Sequence, residues 1–246
     1  MLKMNLVLLA TFFLFNSFQQ NDVAKTSNDI RKSQARLFLL SKGLVNDTLK
    51  SEFLDFLDRE PSSQKVAIIV NATNSEKKKA KKTRKVKSRF ETIGFDTTKI
   101  EMFDLRKRKV DDLMNFDIVY ILGGNPFLLL DEVKKTKADQ VLKKYVTHNK
   151  ILMGYSAGAL ILGPNLKLMN SVDDLLGFNE MGLEELECLG FYDFYIFPHY
   201  KDFSNQVPEL ADEIDKFEAH EKAKVYRITD EQGIIYQNGE TKLIGN

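Results

Sequence analysis

A chain of 246 residues, 43% of them hydrophobic, is long enough to bury one sizeable α/β core. Its 36 lysines and arginines stand against 35 aspartates and glutamates, so no global field points to nucleic acid as a partner. The single cysteine, Cys188, excludes an intrachain disulfide and a cysteine-built zinc site, and, lacking the flanking glycines of a nucleophile turn in Glu185-Leu186-Glu187-Cys188-Leu189, it reads as a small buried residue.

Lys3 precedes an apolar run over 6–15 that is too short to span a bilayer but has the size of a signal-peptide core. Phe15, Asn16, Ser17 and Phe18 supply no small-x-small cleavage site, so cytoplasmic residence is expected, with export as the alternative. No stable membrane span is expected. Residues 1–34 therefore read as an N-terminal extension and linker, and 35–246 as a single α/β domain.

Residues 35–40 form a first apolar run. Leu49, Phe53, Leu54, Phe56 and Leu57 have helical spacing over 48–57, and Pro61-Ser62-Ser63 breaks it. Residues 65–70 predict a second strand, and 75–93 a long helix closed by Gly94. That helix carries a basic run over 77–89. Thr83, Val86, Phe90 and Ile93 keep a buried stripe through it, which favours a solvated basic face over a nucleic-acid patch. Strands are predicted at 100–103 and 117–122, the latter ending in Gly123-Gly124-Asn125. Pro126 suits the first position of the helix that follows. A helix over 137–147 precedes a strand at 151–153. Farther on, 194–197 predicts a strand, 208–220 a helix, and 224–228, 233–236 and 242–244 short strands, with Asn238-Gly239 as a hairpin turn. Apolar strands alternating with helices imply a three-layer α/β sandwich with a mostly parallel sheet, whose sites gather at the carboxyl ends of the strands.

The chemistry concentrates in Gly154-Tyr155-Ser156-Ala157-Gly158, between two apolar runs. A strand, a sharp turn and a helix with serine at the apex would lift the hydroxyl out of the sheet and set helix N-terminal N–H groups beside it to hold an oxyanion. Serine needs a base. His148 falls in a loop before the strand, and His220 ends a polar helix. His199 follows the aromatic strand in Pro198-His199-Tyr200, before a predicted loop, where a base belongs. Asp230 lies at the next strand end and is the expected third member, with Glu231 as the alternative acid. The resulting order is Ser, His, Asp. An α/β-hydrolase order would need His220 with Asp193 or Asp202 before it, which the polar helix around His220 disfavours.

Gly123-Gly124-Asn125 before a Phe/Leu-rich helix, Gly154-Tyr155-Ser156-Ala157-Gly158-Ala159 and Pro198-His199-Tyr200, together with Leu39-Leu40-Ser41-Lys42-Gly43-Leu44, resemble peptidase family S51 from about Leu37 to Ile244. That family includes the aspartyl dipeptidase peptidase E and the cyanophycinases. The resemblance implies a fold like the class I glutamine amidotransferases, with serine in place of cysteine. It implies Ser156 as nucleophile, His199 as base, and an oxyanion and substrate-binding region near Gly124, Asn125 and Ala157. Asp230 stands where peptidase E carries glutamate, and Pro126 departs from the hydroxyl residue common after Gly-Gly-Asn, so any N–H donor supplied at that position is absent here. The expected function is a serine peptidase acting on short peptides or isopeptides, aspartyl dipeptides among them, with no metal or cofactor. A small peptide is the expected partner. The alternatives are an esterase using the same serine or a non-catalytic binding domain on the same fold. Nothing in the sequence assigns an oligomeric state.

Overall fold

The computed structural model describes residue 32 and residues 34–245. The apolar run over 6–15 lies outside the described residues. Among the described residues no helix is long and apolar enough to cross a membrane.

Five strands form the parallel part of the sheet: β1 (Arg36–Leu40), β2 (Val66–Ile69), β3 (Ile100–Phe103), β4 (Ile118–Ile121) and β5 (Ile151–Tyr155). A second sheet pairs β6 (Tyr195–Phe197) with β7 (Val225–Arg227) in parallel. The hairpin of β8 (Gly233–Gln237) and β9 (Glu240–Ile244) joins the first sheet antiparallel to β1. The seven-stranded order is β3-β2-β4-β5-β1-β8-β9. Positive φ at both Asn238 and Gly239 lets the hairpin turn match the strand twist.

Side chains alternate across the sheet with period two, so each central strand feeds two cores. Leu37, Leu39, Ala67, Ile69, Val119, Ile121 and Leu152 face one side. Phe38, Leu40, Val66, Ile68, Ile118, Tyr120, Ile151 and Met153 face the other. On that second side lie α1 (Asp47–Asp55), through Leu49 and Phe53, and α2 (Glu76–Glu91), through Val86 and Phe90. The first side is covered by α3 (Pro126–Lys135), α4 (Ala138–Tyr145) and, farther along, α9 (Leu210–Glu221). This is the three-layer α/β sandwich that the apolar runs imply.

Capping follows local chemistry. Asn46, Ser75 and Asn125 each accept a backbone N–H from the first turn of α1, α2 and α3. Proline at the first position of α3 forfeits only an N–H that has no intrahelical partner there. The order of elements matches the sequence reading, and four local features differ. β5 runs two residues farther, to Tyr155, because both of its neighbours continue to pair with it. The segment after Ser156 breaks into α5 (Ala157–Leu160), α6 (Lys167–Ser171) and α7 (Asp173–Leu176). The residues after His199 form α8 (Tyr200–Gln206) rather than a loop. Finally, the basic face of α2 is not wholly solvated. Lys79 is buried and donates to Asp104 at 2.6 Å, a residue just past the end of β3.

Candidate active site

The strand register places the ends of β1, β4 and β5 side by side, with Leu40 opposite Tyr155 and Ile121 opposite Gly154. Ser156 follows immediately. Its N–H continues the ladder to Leu40 O at 2.9 Å, and its carbonyl already accepts Ala159 N–H and Leu160 N–H of α5. The chain therefore changes from strand to helix within one residue. Ser156 bears the strain, with φ 50° and ψ −123°. A non-glycine residue held there is a local cost of about 1–3 kcal/mol, sustained by the packing around it. Gly158 shows why the motif needs glycine: a Cβ there would lie 2.0 Å from Ile121 O, so α5 could not sit so close to β4.

His199, two residues past β6, sits in the left-handed region, φ 55°, as the N-cap of α8. Its backbone N–H donates to Ser41 Oγ at 2.8 Å. Its Nδ1 is hydrogen-bonded to Asp230 Oδ1. Ser41 Oγ also donates to that oxygen at 3.4 Å, and Lys42 Nζ is paired with Asp230 Oδ2. Burial pushes the Asp230 carboxyl up, but the hydrogen bonds from Lys42 and His199 outweigh it and hold the group below its ordinary value. An ionised Asp230 only accepts, so Nδ1 carries the proton and Nε2 is the free basic nitrogen. The ion pair with Asp230 raises Lys42 above the usual lysine range.

Ser156 and His199 line one cavity of about 350 Å³ together with Gly123, Gly124 and Ala157. Its walls are largely apolar: Tyr155, Leu160, Met169, Phe178, Phe197 and Phe203. Lys82 is the lysine that reaches it, donating to Gly123 O at 2.5 Å. Burial, followed by the nearby charge of Lys78, holds the Lys82 ammonium below its ordinary pKa. Among the described residues, neither Gly124 N–H nor Ala157 N–H has a hydrogen-bond partner.

Asn125, grouped with these two from sequence, is committed elsewhere. Its N–H donates to Ala72 O at 2.9 Å, Oδ1 caps α3, and Nδ2 donates to Phe178 O. It supports the loop rather than lining the cavity. Glu231 is exposed, and its backbone carbonyl accepts from Asn46 Nδ2, so the carboxylate that meets His199 is that of Asp230. His220 is exposed beside Glu221, and His148 precedes β5 at the opposite end of that strand from Ser156. Cys188 is buried, which pushes its thiol pKa well up and leaves it unreactive. Ser41 and Lys42 lie in the stretch over 39–44 that contributes to the family resemblance but does not single them out as site residues, and Lys82 carries no local motif that marks it as one. Among the described residues no group of three or more His, Cys, Asp or Glu side chains is arranged to hold a metal ion.

Comparison with known proteins gives a consistent result. The family model for peptidase family S51 matches residues 37–244. The chain is 31% identical over 134 residues to an uncharacterized peptidase of Pasteurella multocida, covering 54% of this chain and 62% of the relative. It is 32% identical over 152 residues to one from Listeria monocytogenes, covering 61% and 64%. A protein of Nostoc named peptidase E is 27% identical over 173 residues, covering 67% and 65%. The chain thus spans a little under two thirds of the length of these curated relatives. A crystal structure from Listeria monocytogenes that carries the peptidase E name superposes with TM-score 0.68 at 23% identity, over 86% of this chain and 98% of that one. That of a peptidase from an acI-B1 actinobacterium gives 0.61 at 19%, over 86% and 88%. At those identities the two structures speak to the fold.

Proposed function

The chain belongs to peptidase family S51, and from that premise we propose that it is a serine peptidase that hydrolyses short peptides or isopeptides through Ser156, His199 and Asp230. The observation that carries this reading is the commitment of His199 Nδ1 to Asp230, with His199 and Ser156 on one cavity. That bond fixes the tautomer and leaves Nε2 to take the Ser156 proton.

In this reading Ser156 Oγ attacks the scissile carbonyl while Nε2 accepts its proton. The carbonyl oxygen becomes an oxyanion, and the free N–H groups of Gly124 and Ala157 donate to it. The imidazolium, stabilised by ionised Asp230, protonates the leaving amine. Water, deprotonated by the same nitrogen, then releases the acyl group. The strained backbone at Ser156 supports the reading, because such strain persists where it serves a site.

The test is hydrolysis of aspartyl, β-aspartyl and neutral dipeptides by wild type and by Ser156→Ala. Amide hydrolysis that falls by at least about 10⁴-fold in the variant is the expected outcome. Turnover of activated esters without amides would make the protein an esterase. A Ser156 inert to fluorophosphonates would leave the fold as a binding domain.

A further inference from the structure

The Gly123–Gly124 peptide presents a problem that the chemistry above leaves open. Its N–H is one of the two free donors at the cavity, yet both of its residues are glycine, and Gly124 sits at φ 151°. A peptide between two glycines meets little steric resistance to turning over. Turned over, it would aim its carbonyl at the position where an oxyanion must form.

We propose that Lys82 is a positioning residue that locks this peptide in the orientation presenting Gly124 N–H to the reacting carbonyl. The inference rests on the serine-peptidase reading. In a trans peptide the C=O and the following N–H point in opposite directions. The Lys82 ammonium donates to Gly123 O at 2.5 Å, so it holds the carbonyl on its own side and the N–H on the other. A cation on the carbonyl also polarises the peptide and makes the N–H a stronger donor. The site of action is adjacent to the nucleophile, since a Cβ on Gly123 would lie 2.8 Å from Ser156 Cβ. Asn125 N–H, bound to Ala72 O, anchors the chain one residue farther on.

A solvated surface lysine does not account for this placement. Among the described residues Lys82 has no carboxylate partner, although it is partly buried and its neighbour on α2, Lys78, repels it. An ammonium gives up hydration at a cost, and here it gains a backbone carbonyl rather than a counter-charge. Lys79, three positions earlier on the same helix, is buried too but faces Asp104 and Glu76. The two lysines are therefore held for different purposes.

The test compares wild type, Lys82→Met, Lys82→Arg and the exposed-helix control Lys85→Met. It uses the rate of fluorophosphonate labelling at Ser156, steady-state kinetics on the best dipeptide and thermal unfolding. Loss of a whole oxyanion donor lowers kcat by about 10²–10³-fold. Lys82→Met is expected to lower kcat and the labelling rate together by about 10–100-fold, with KM within about threefold and Tm close to wild type. Lys82→Arg restores most of the loss, and Lys85→Met behaves as wild type. A labelling rate unchanged in Lys82→Met would overturn the inference while leaving the serine mechanism intact. So would a rise in KM alone, which would make Lys82 a substrate contact. Failure of wild type itself to label at Ser156 would overturn the serine-peptidase reading and this inference with it.

Discussion

Ser41 is small, fully buried and bonded to two of the three residues that the proposed mechanism uses. Ser41→Ala would leave the His199 N–H without its acceptor in a closed space, at a cost of about 1–3 kcal/mol. The larger consequence is for activity, because both the backbone and the ring partner of His199 are steadied by one hydroxyl. We expect kcat to fall by about tenfold or more with a small change in KM, read from steady-state kinetics. Lys42 acts on the same carboxylate from the other side. Lys42→Met removes a bond that lowers the Asp230 pKa, so the carboxyl rises and accepts a proton at a higher pH. The acid limb of the pH–kcat/KM profile should move upward, and an unmoved limb would show that Lys42 does not tune the acid.

At the scale of elements, the turn between β5 and α5 tolerates little. Gly158→Ala drives a methyl group into Ile121 O, on a strand paired on both sides that cannot retreat without breaking the sheet. Loss of more than about 3 kcal/mol in denaturant unfolding is expected. The pair of Lys79 on α2 and Asp104 after β3 gives a second prediction. Lys79→Met leaves a buried carboxylate without its main partner and should destabilise by about 3–5 kcal/mol. Lys79→Met combined with Asp104→Leu should recover part of that loss, and no recovery would mean that Asn71 and Glu76 matter more than the pair itself.

How much of this was legible in the sequence depends on distance along the chain. Strands such as Val66–Ile69 and Ile118–Ile121 are continuous apolar runs, since both faces of the sheet are covered, and they can be read locally. Ser156 is equally legible, because its glycines, strand and helix are neighbours. The short helices α6 to α8 are not, since each has too few residues for a period to show. Ser41 and Lys42 meet their partners 158 to 189 positions away, and although their loop contributes to the family resemblance, its residue types alone do not announce those partners. Lys82 is hidden in another way: it is one cation among nine in the run over 77–89, and only the fold turns it from solvent to the cavity.

For the molecule as a whole, acid should be more damaging than the near-neutral net charge suggests. Asp230, Asp104, Glu76, Asp47 and Asp96 all have carboxyls held below their ordinary values, by lysine partners or local donors. Groups lowered on folding bind fewer protons in the folded state, so the stability they contribute is complete above their unfolded values. It is lost as pH falls through the folded ones. Thermal unfolding followed downward from about pH 6 should show Tm beginning to fall near pH 5, and a flat profile to pH 3 would contradict the assignment.

The position of β1 has a consequence for how the protein comes into being. This strand is made before the other described strands, yet it lies inside the sheet, and its β8 neighbour, with Arg36 opposite Gln237, follows about 200 residues later. Until then one edge of β1 is an unpaired, apolar ribbon open to wrong partners. Asp230 belongs to the same late stretch, just before β8. A nascent chain therefore acquires the strand that closes β1 and the carboxylate that meets His199 within a few residues of each other. Until that stretch is made neither is in place, so the closing of the sheet beside β1 and the pairing of His199 Nδ1 arrive together.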